Sequence, residues 1–296
     1  MAEGSHERRS AVVVGASGFL GSALRAELTS RGAEVRTATL QDPVIDASGA
    51  LRADLHGAGT FYWGASRINP LVAVERPELV AADLRDLERF LDALERASTD
   101  ATVVLLSSGG TVYGAAEPPH REATPPQPTS AYGKAKLAME HVATAARVRS
   151  VVLRISNAYG PGQRPAPGQG VIGHWLRALL SGSPVTVYGD LSTTRDYLFG
   201  SDLIGLLADL HGNPLVPPLL NVGSGEPTSL GQVLDAVHAA VGSRQLNIEF
   251  EARRPFDLTA SWLDVGLAER SLGWRASTPL HEGVEQMWRW LLRGGA

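Results

Sequence analysis

Short runs of β-branched and aliphatic residues alternate along the first half of the chain with longer stretches whose apolar positions recur every three to four residues. Residues 11–14 (AVVV) read as a buried strand, and 19–31 (FLGSALRAELTSR) as a helix. Strands are expected at 34–40 (EVRTATL) and 59–63 (GTFYW), and a helix at 77–97, with Pro77 suited to its first turn. Residues 101–107 (ATVVLLS) do not alternate, as befits a strand covered on both faces. A second long helix is expected over about 129–147, and a strand over 151–156 (VVLRIS). This order predicts an α/β fold with a doubly wound parallel sheet.

The second half is less regular. A glycine–proline loop at 161–170 (PGQRPAPGQG) is expected to be mobile and near the surface. GVIGHWLRALLSG and PVTVYGD read as a helix then a strand, and SDLIGLLADLHG as another helix. The tail from 226 supplies two or three further helices and the strand LNIEF. The pattern divides into a first domain over 8–160, to which 194–222 returns, and a smaller α+β domain formed by 161–193 and 223–296. The proline-rich stretch 117–130 (EPPHREATPPQPTS) lies between two strong elements and reads as an ordered active-site loop. There is no internal repeat.

Composition narrows the function classes. With 44% hydrophobic and 20% charged residues, the 296-residue chain has a globular profile. A formal net charge of −4 argues against a nucleic-acid or anionic-membrane partner. The absence of cysteine excludes disulfides, thiolate catalysis and cysteine-ligated metals. The eight histidines lack any HExxH-like spacing, so no metal site is expected. The polar first residues do not form a signal peptide, and no run approaches the roughly 18 apolar residues of a membrane span. A cytoplasmic protein is expected.

Two patterns carry chemistry. Gly15, Gly18 and Gly21 form G-x-x-G-x-x-G between a predicted strand and a predicted helix. There the first glycine allows a tight turn, the second lets backbone N–H groups approach a pyrophosphate, and the third lets helix and strand pack closely. Tyr132 and Lys136 lie four apart on a predicted helix and share one face. An ammonium there favours the phenolate, which makes a general acid/base. That helix follows the strand ending in SSGGTVYG (107–114), so the two segments converge at one sheet edge, where ligands bind in open α/β sheets.

GASGFLG, SSGGTVYG, the spaced set Glu122, Pro125, Pro128, Tyr132 and Lys136, and RISNAYGPGQ (154–163) together resemble the extended short-chain dehydrogenase/reductase family. Within it the pattern is similar to nucleotide-sugar epimerases and dehydratases of the UDP-glucose 4-epimerase type. VYGD…TTRDYLFGSDL, NVGSGEPTSL and LGW continue the resemblance in the same order, to about residue 292. It implies a Rossmann-type dinucleotide-binding domain with a smaller sugar-nucleotide-binding domain. It further implies that Gly15, Ser17, Gly18, Phe19, Leu20 and Gly21 hold the cofactor pyrophosphate, and that Asp54 sits near the adenine. Tyr132 would be the acid/base and Lys136 would bind the nicotinamide ribose, with Thr111 and Ser108 near the sugar. Asn157 and Arg195 would contact the sugar-nucleotide diphosphate, and Arg253 would be a second arginine there. A homodimer through the two long helices is also implied.

Departures from the family pattern sharpen the expectation. Gly109 stands where a catalytic serine or threonine is usual, which leaves Thr111 to supply the hydroxyl. Thr39 stands where an acid usually meets the adenosine ribose, so NADP remains an alternative to NAD. YWGAS (62–66) replaces a run of small residues, and Asp83 replaces an asparagine. Gly110-Thr111 occupies the place of the Asp-Glu pair that a dehydratase needs. The leading expectation is an NAD-dependent nucleotide-diphosphate-sugar 4-epimerase. The alternatives are an NADPH-dependent reductase of a nucleotide-linked 4-keto-deoxysugar and a non-catalytic NAD(P)-binding sensor.

Overall fold

A computed structural model describes residues 10–97, 100–166, 168–242, 244, 246–254 and 257–295. The domain start read at residue 8 and the chain end at 296 lie outside them. The first half runs β1 (Ala11–Val14), α1 (Phe19–Ser30), β2 (Val35–Ala38), β3 (Thr60–Trp63), α2 (Val72–Glu75) and α3 (Pro77–Arg96). It continues with β4 (Thr102–Ser108), α4 (Gly109–Tyr113), α5 (Ala131–Ala145) and β5 (Arg149–Ile155). Then come β6 (Asn157–Tyr159), α6 (Val171–Ser181), β7 (Val185–Tyr188), β8 (Thr194–Arg195), β9 (Tyr197–Phe199), α7 (Gly200–Asp209) and β10 (Leu219–Val222). The chain closes with β11 (Thr228–Ser229), α8 (Leu230–Val241), β12 (Ile248–Glu251), β13 (Ala260–Ser261), α9 (Gly266–Leu272) and α10 (Leu280–Leu292).

Six strands form one parallel sheet in the order β10-β5-β4-β3-β1-β2. The predicted strands fall within a residue or two of their places, and the sixth comes from Leu219–Val222 late in the chain. All of Ala11–Val14 and Thr60–Trp63 is buried, which is why these runs show no alternation. Helix starts follow local chemistry. Pro77 opens α3, the Ser130 hydroxyl accepts from the Gly133 N–H at 3.0 Å at the start of α5, and Ser229 with Gln232 forms a capping box on α8.

Apolar side chains bury on both faces of the sheet, with α3 and α5 on one side and α1 and α7 on the other. A third cluster gathers α6, α8 and α10 around Val185 and Val187 of β7. Trp63, the departure noted at YWGAS, is a packing residue: its ring stacks on Phe90 with centroids 4.9 Å apart. Asp83 is buried and organises the loop beyond β3, accepting from the Arg67 N–H and the Ser66 hydroxyl and pairing with the Arg67 guanidinium at 2.8 Å.

One polar cluster lies inside this apolar setting. Glu140 of α5 accepts from the Ser107 hydroxyl of β4 at 2.5 Å and pairs with Arg154 of β5 at 2.7 Å, and both charged side chains are 5% exposed. Arg154 also sits over the Tyr113 ring, 4.6 Å from its centroid. The cluster therefore ties the helix bearing Tyr132 and Lys136 to the strand bearing Ser107 and Ser108. A buried pair that loses one partner leaves an uncompensated charge, so Glu140→Gln is expected to cost about 3–5 kcal/mol of stability. Urea unfolding monitored by circular dichroism measures this directly, and a loss below 1 kcal/mol would refute the account.

Candidate active site

β1 ends in a turn that only glycine can make. Gly15 has φ +92°, and a Cβ on it would lie 2.8 Å from the Ala65 nitrogen. Its N–H and that of Ala16 donate to Ala38 O at the end of β2. A Cβ on Gly21 would fall 2.2 Å from Gly15 O, so this glycine lets α1 seat directly on the turn. Gly18 is the N-cap of α1 and makes no side-chain cap, which leaves the first N–H groups of a 12-residue helix for an anion. Gly15, Gly18, Phe19, Leu20 and Gly21 line a cavity of about 450 Å³. Ser17 is exposed on the turn and lies off the cavity wall, as do Thr39 and Asp54.

The opposite wall of this cavity is the end of β4 with α4 and the first turns of α5. The Thr111 hydroxyl donates to Ser108 Oγ at 2.8 Å. Lys136 is buried, donates to Leu106 O at 3.4 Å, and its Nζ lies 5.7 Å from the Tyr132 ring centroid. Tyr132, Lys136, Thr111 and Ser108 all line the cavity. A Cβ on Gly109 would come within 2.9 Å of both Leu263 Cδ atoms, so a serine there would require the end of the Leu263 side chain to shift. Gly133, unremarked in the sequence, is a second close approach, since a Cβ there would stand 2.2 Å from Thr111 O.

α4 is held from behind by the late part of the chain. The Tyr113 hydroxyl donates to Asn221 Oδ1 at 2.8 Å, and the Asn221 amide donates to the carbonyls of His120 and Asp264. His120 stacks on Tyr113 at 4.7 Å, and burial pushes its imidazole down to about 4, so it is neutral at pH 7. Glu122 accepts from the Asn221 N–H at 2.9 Å. The 117–130 stretch is thus pinned to the sheet, and Thr129 and Ser130 reach the cavity. The 161–170 loop supplies Gln163, Gly168, Gln169 and Gly170 to the same cavity; Pro167 lies outside the described residues.

The far end of the cavity is cationic. Arg195 donates to Thr194 O at 2.9 Å and Leu258 O at 2.7 Å, and burial pulls its guanidinium below the ordinary value. Neither neighbouring acid, Asp196 or Asp202, stands in an ion pair with Arg195. Asp196 accepts from Ser224 and from the Gly225 and Leu263 N–H groups, while Asp202 binds Ser277 and Thr278. Asn157 donates to Asp196 O at 2.8 Å. Arg253 pairs with Asp190 at 2.9 Å. Arg254 stands on the same wall, forks onto Asp257 and lies 4.7 Å over the Tyr188 ring. Among the described residues no group of three or more His, Cys, Asp or Glu could hold a metal ion.

Residues 11–223 match the family model described as the NAD dependent epimerase/dehydratase family. The chain belongs to this family. Two curated relatives are similar to the chain. A putative UDP-glucose 4-epimerase of Methanocaldococcus jannaschii is 30% identical over 77% of this chain and 75% of its own length. The dTDP-4-dehydro-6-deoxyglucose reductase of Escherichia coli is 30% identical over 62% of this chain, and the match spans 60% of the reductase. Among solved structures, MoeE5 in complex with UDP-glucuronic acid and NAD superposes with a TM-score of 0.86 at 30% identity, covering 96% of this chain and 99% of that one. In this member of the NAD dependent epimerase/dehydratase family, the glycine turn, Tyr132 with Lys136, and Arg195 with Arg253 line one cavity.

Proposed function

We propose that this protein is an NAD-dependent nucleotide-diphosphate-sugar epimerase that inverts C4 of the sugar. The observation that carries this is the one cavity lined by the glycine turn, Tyr132, Thr111, Lys136, Asn157 and Arg195. The cofactor fits the residues present: the positive-φ Gly15, the tight Gly21 and the uncapped start of α1 form a backbone cradle for a pyrophosphate. When bound, the nicotinamide supplies a reversible hydride acceptor. Tyr132 Oη takes the proton of the sugar 4-hydroxyl and later returns it, while Thr111 stands beside it as the hydroxyl partner. Lys136, buried between the Leu106 carbonyl and the Tyr132 ring, would hold the cofactor ribose and favour the phenolate. Asn157, Arg195 and Arg253 hold the diphosphate, with Arg254 beside them.

The second reading is an NADPH-dependent reductase of a 4-keto-deoxysugar, favoured by the Escherichia coli relative and by Thr39 in place of an acid. A sensor without catalysis is disfavoured by the intact Tyr132/Lys136 pair. Incubation with UDP-glucose and NAD, and in parallel with a 4-keto-deoxysugar nucleotide and NADPH, followed by NMR of the sugar and absorbance at 340 nm, separates the three. A 4-epimer without net absorbance change at 340 nm supports the epimerase. Net oxidation of NADPH with a 4-keto-deoxysugar nucleotide supports the reductase, and turnover of neither leaves the sensor.

The family resemblance further supports a homodimer, with α5 presenting Ala131, Leu137, Ala138, His141 and Ala145 as exposed or half-buried positions. The cytoplasm, where nucleotide sugars and NAD meet, is the compartment this function fits. No helix among the described residues is long and apolar enough to cross a membrane.

A further inference from the structure

Tyr132, Lys136 and Glu140 follow one another at four-residue steps on α5 and share the face that meets β4. Each step advances about 6 Å along the helix. The first two line the active-site cavity and the third does not. β4 alternates across the sheet: Val103 and Leu105 bury with α3 and α5, while Val104 and the partly buried Leu106 join the opposite cluster. Ser107 therefore stands on the α5 face. It is 7% exposed, lines the cavity, and gives its one hydroxyl proton to Glu140 Oε1 at 2.5 Å.

Glu140 is held from two strands. From β5, Arg154 donates to Oε2 through Nε at 3.1 Å and Nη2 at 2.7 Å. Its Nε reaches Oε1 only at 3.2 Å, so the short bond at that oxygen comes from Ser107 on β4. The same guanidinium lies 4.6 Å from the centroid of the Tyr113 ring, and Tyr113 closes α4 two residues after Thr111. One carboxylate thus sets α5, β4 and, through Arg154, α4 in a common frame. Side-chain packing contributes little on this flank. There α5 gives Leu137, Glu140, His141 and Thr144 to a cavity of about 330 Å³ whose far side includes Val152 and Leu219. Met139 and Ala143 bury on the α3 side instead, which leaves the helix room to swing if the tie to β4 slackens.

We propose that Ser107 is a positioning residue for the reaction, its hydroxyl fixing Glu140 and thereby the place of Tyr132 and Lys136 relative to Thr111. The inference rests on the acid–base role proposed above for Tyr132. Removing the hydroxyl leaves the Glu140–Arg154 pair intact, so the buried charges stay compensated and the sheet keeps its edge. What changes is the seating of α5 on β4. A misplacement of about 1 Å costs on the order of 10²-fold in rate, and a smaller slip costs part of that. The glycine turn and the arginine end make no contact with Glu140, so binding of dinucleotide and diphosphate is largely spared.

The test compares the full chain with Ser107→Ala and Ser107→Thr by kcat and KM for the nucleotide sugar, calorimetric titration of NAD and melting temperature. Ser107→Ala is expected to lower kcat by about tenfold or more, with KM and the NAD Kd within about threefold and melting lower by only a few degrees. Ser107→Thr keeps a hydroxyl and should restore most of the lost kcat. If the Ala variant does not fold, Ser107→Cys, a weak donor of nearly the same volume, takes its place with the same expected loss. Native kcat in the folded Ala or Cys variant would overturn the inference and leave the role of Tyr132 intact. So would a Thr variant as slow as the Ala variant, or a loss that appears in KM alone. An unaltered chain that turns over no nucleotide sugar would remove the acid–base reading and this inference with it.

Discussion

Tyr132→Phe is expected to lower kcat by about 10³-fold or more while leaving NAD binding within a factor of about two. The phenyl ring keeps the face over which Lys136 lies, 5.7 Å from the centroid, so the packing of α5 against β4 survives. What disappears is the hydroxyl of the ring over which the buried Lys136 ammonium lies. Thr111 cannot replace it, because its hydroxyl is already committed to Ser108 at 2.8 Å and has no cation to favour an alkoxide. General acid–base catalysis contributes roughly 10²–10⁴-fold, which sets the scale of the loss. The check is kcat from product formation, paired with calorimetric titration of NAD. A Phe variant within tenfold of the unaltered enzyme would remove Tyr132 from the chemistry.

The second large effect falls on a residue that touches no substrate. Gly133→Ala places a Cβ 2.2 Å from Thr111 O and 2.9 Å from its carbonyl carbon, so backbone must move. The shift separates α4 from the start of α5, and therefore Thr111 from Tyr132. Overpacking of this kind costs about 1–3 kcal/mol, which a domain of ordinary stability survives. Catalysis is less forgiving, since a misplacement of about 1 Å costs on the order of 10²-fold. The expected result is a folded protein with a melting temperature lower by a few degrees and a kcat lower by roughly 100-fold. Native kcat in the variant would mean that the two segments adjust independently.

Much of this was legible before any coordinates. The buried strands announced themselves because β1 and β3 are apolar on both faces, and the glycine turn because its three glycines are spaced by steric demand. Tyr132 and Lys136 were legible because helical periodicity fixes which residues share a face. The short pieces were not. α4 spans only Gly109–Tyr113, and β8 and β13 are two residues each, too few for any period to register. The close approaches of Leu263 to Gly109 and of Thr111 O to Gly133 were hidden for another cause, since each is a contact between segments distant in sequence or across a turn.

The anchoring of α4 has a consequence for how the enzyme comes into being. The glycine turn, Tyr132 and Lys136 are all synthesised within the first half, yet β5 gains its outer neighbour only when Leu219–Val222 is added, and the Tyr113 hydroxyl gains its acceptor only with Asn221. Leu263, which backs Gly109, arrives later still. A nascent chain stopped near residue 200 would carry most of the reactive groups on an incomplete sheet edge, with the turn that bears Thr111 unbraced. The brace is therefore acquired late, and a chimera that exchanges the last hundred residues for those of a relative exchanges the brace of the turn that bears Thr111 along with the far end of the cavity.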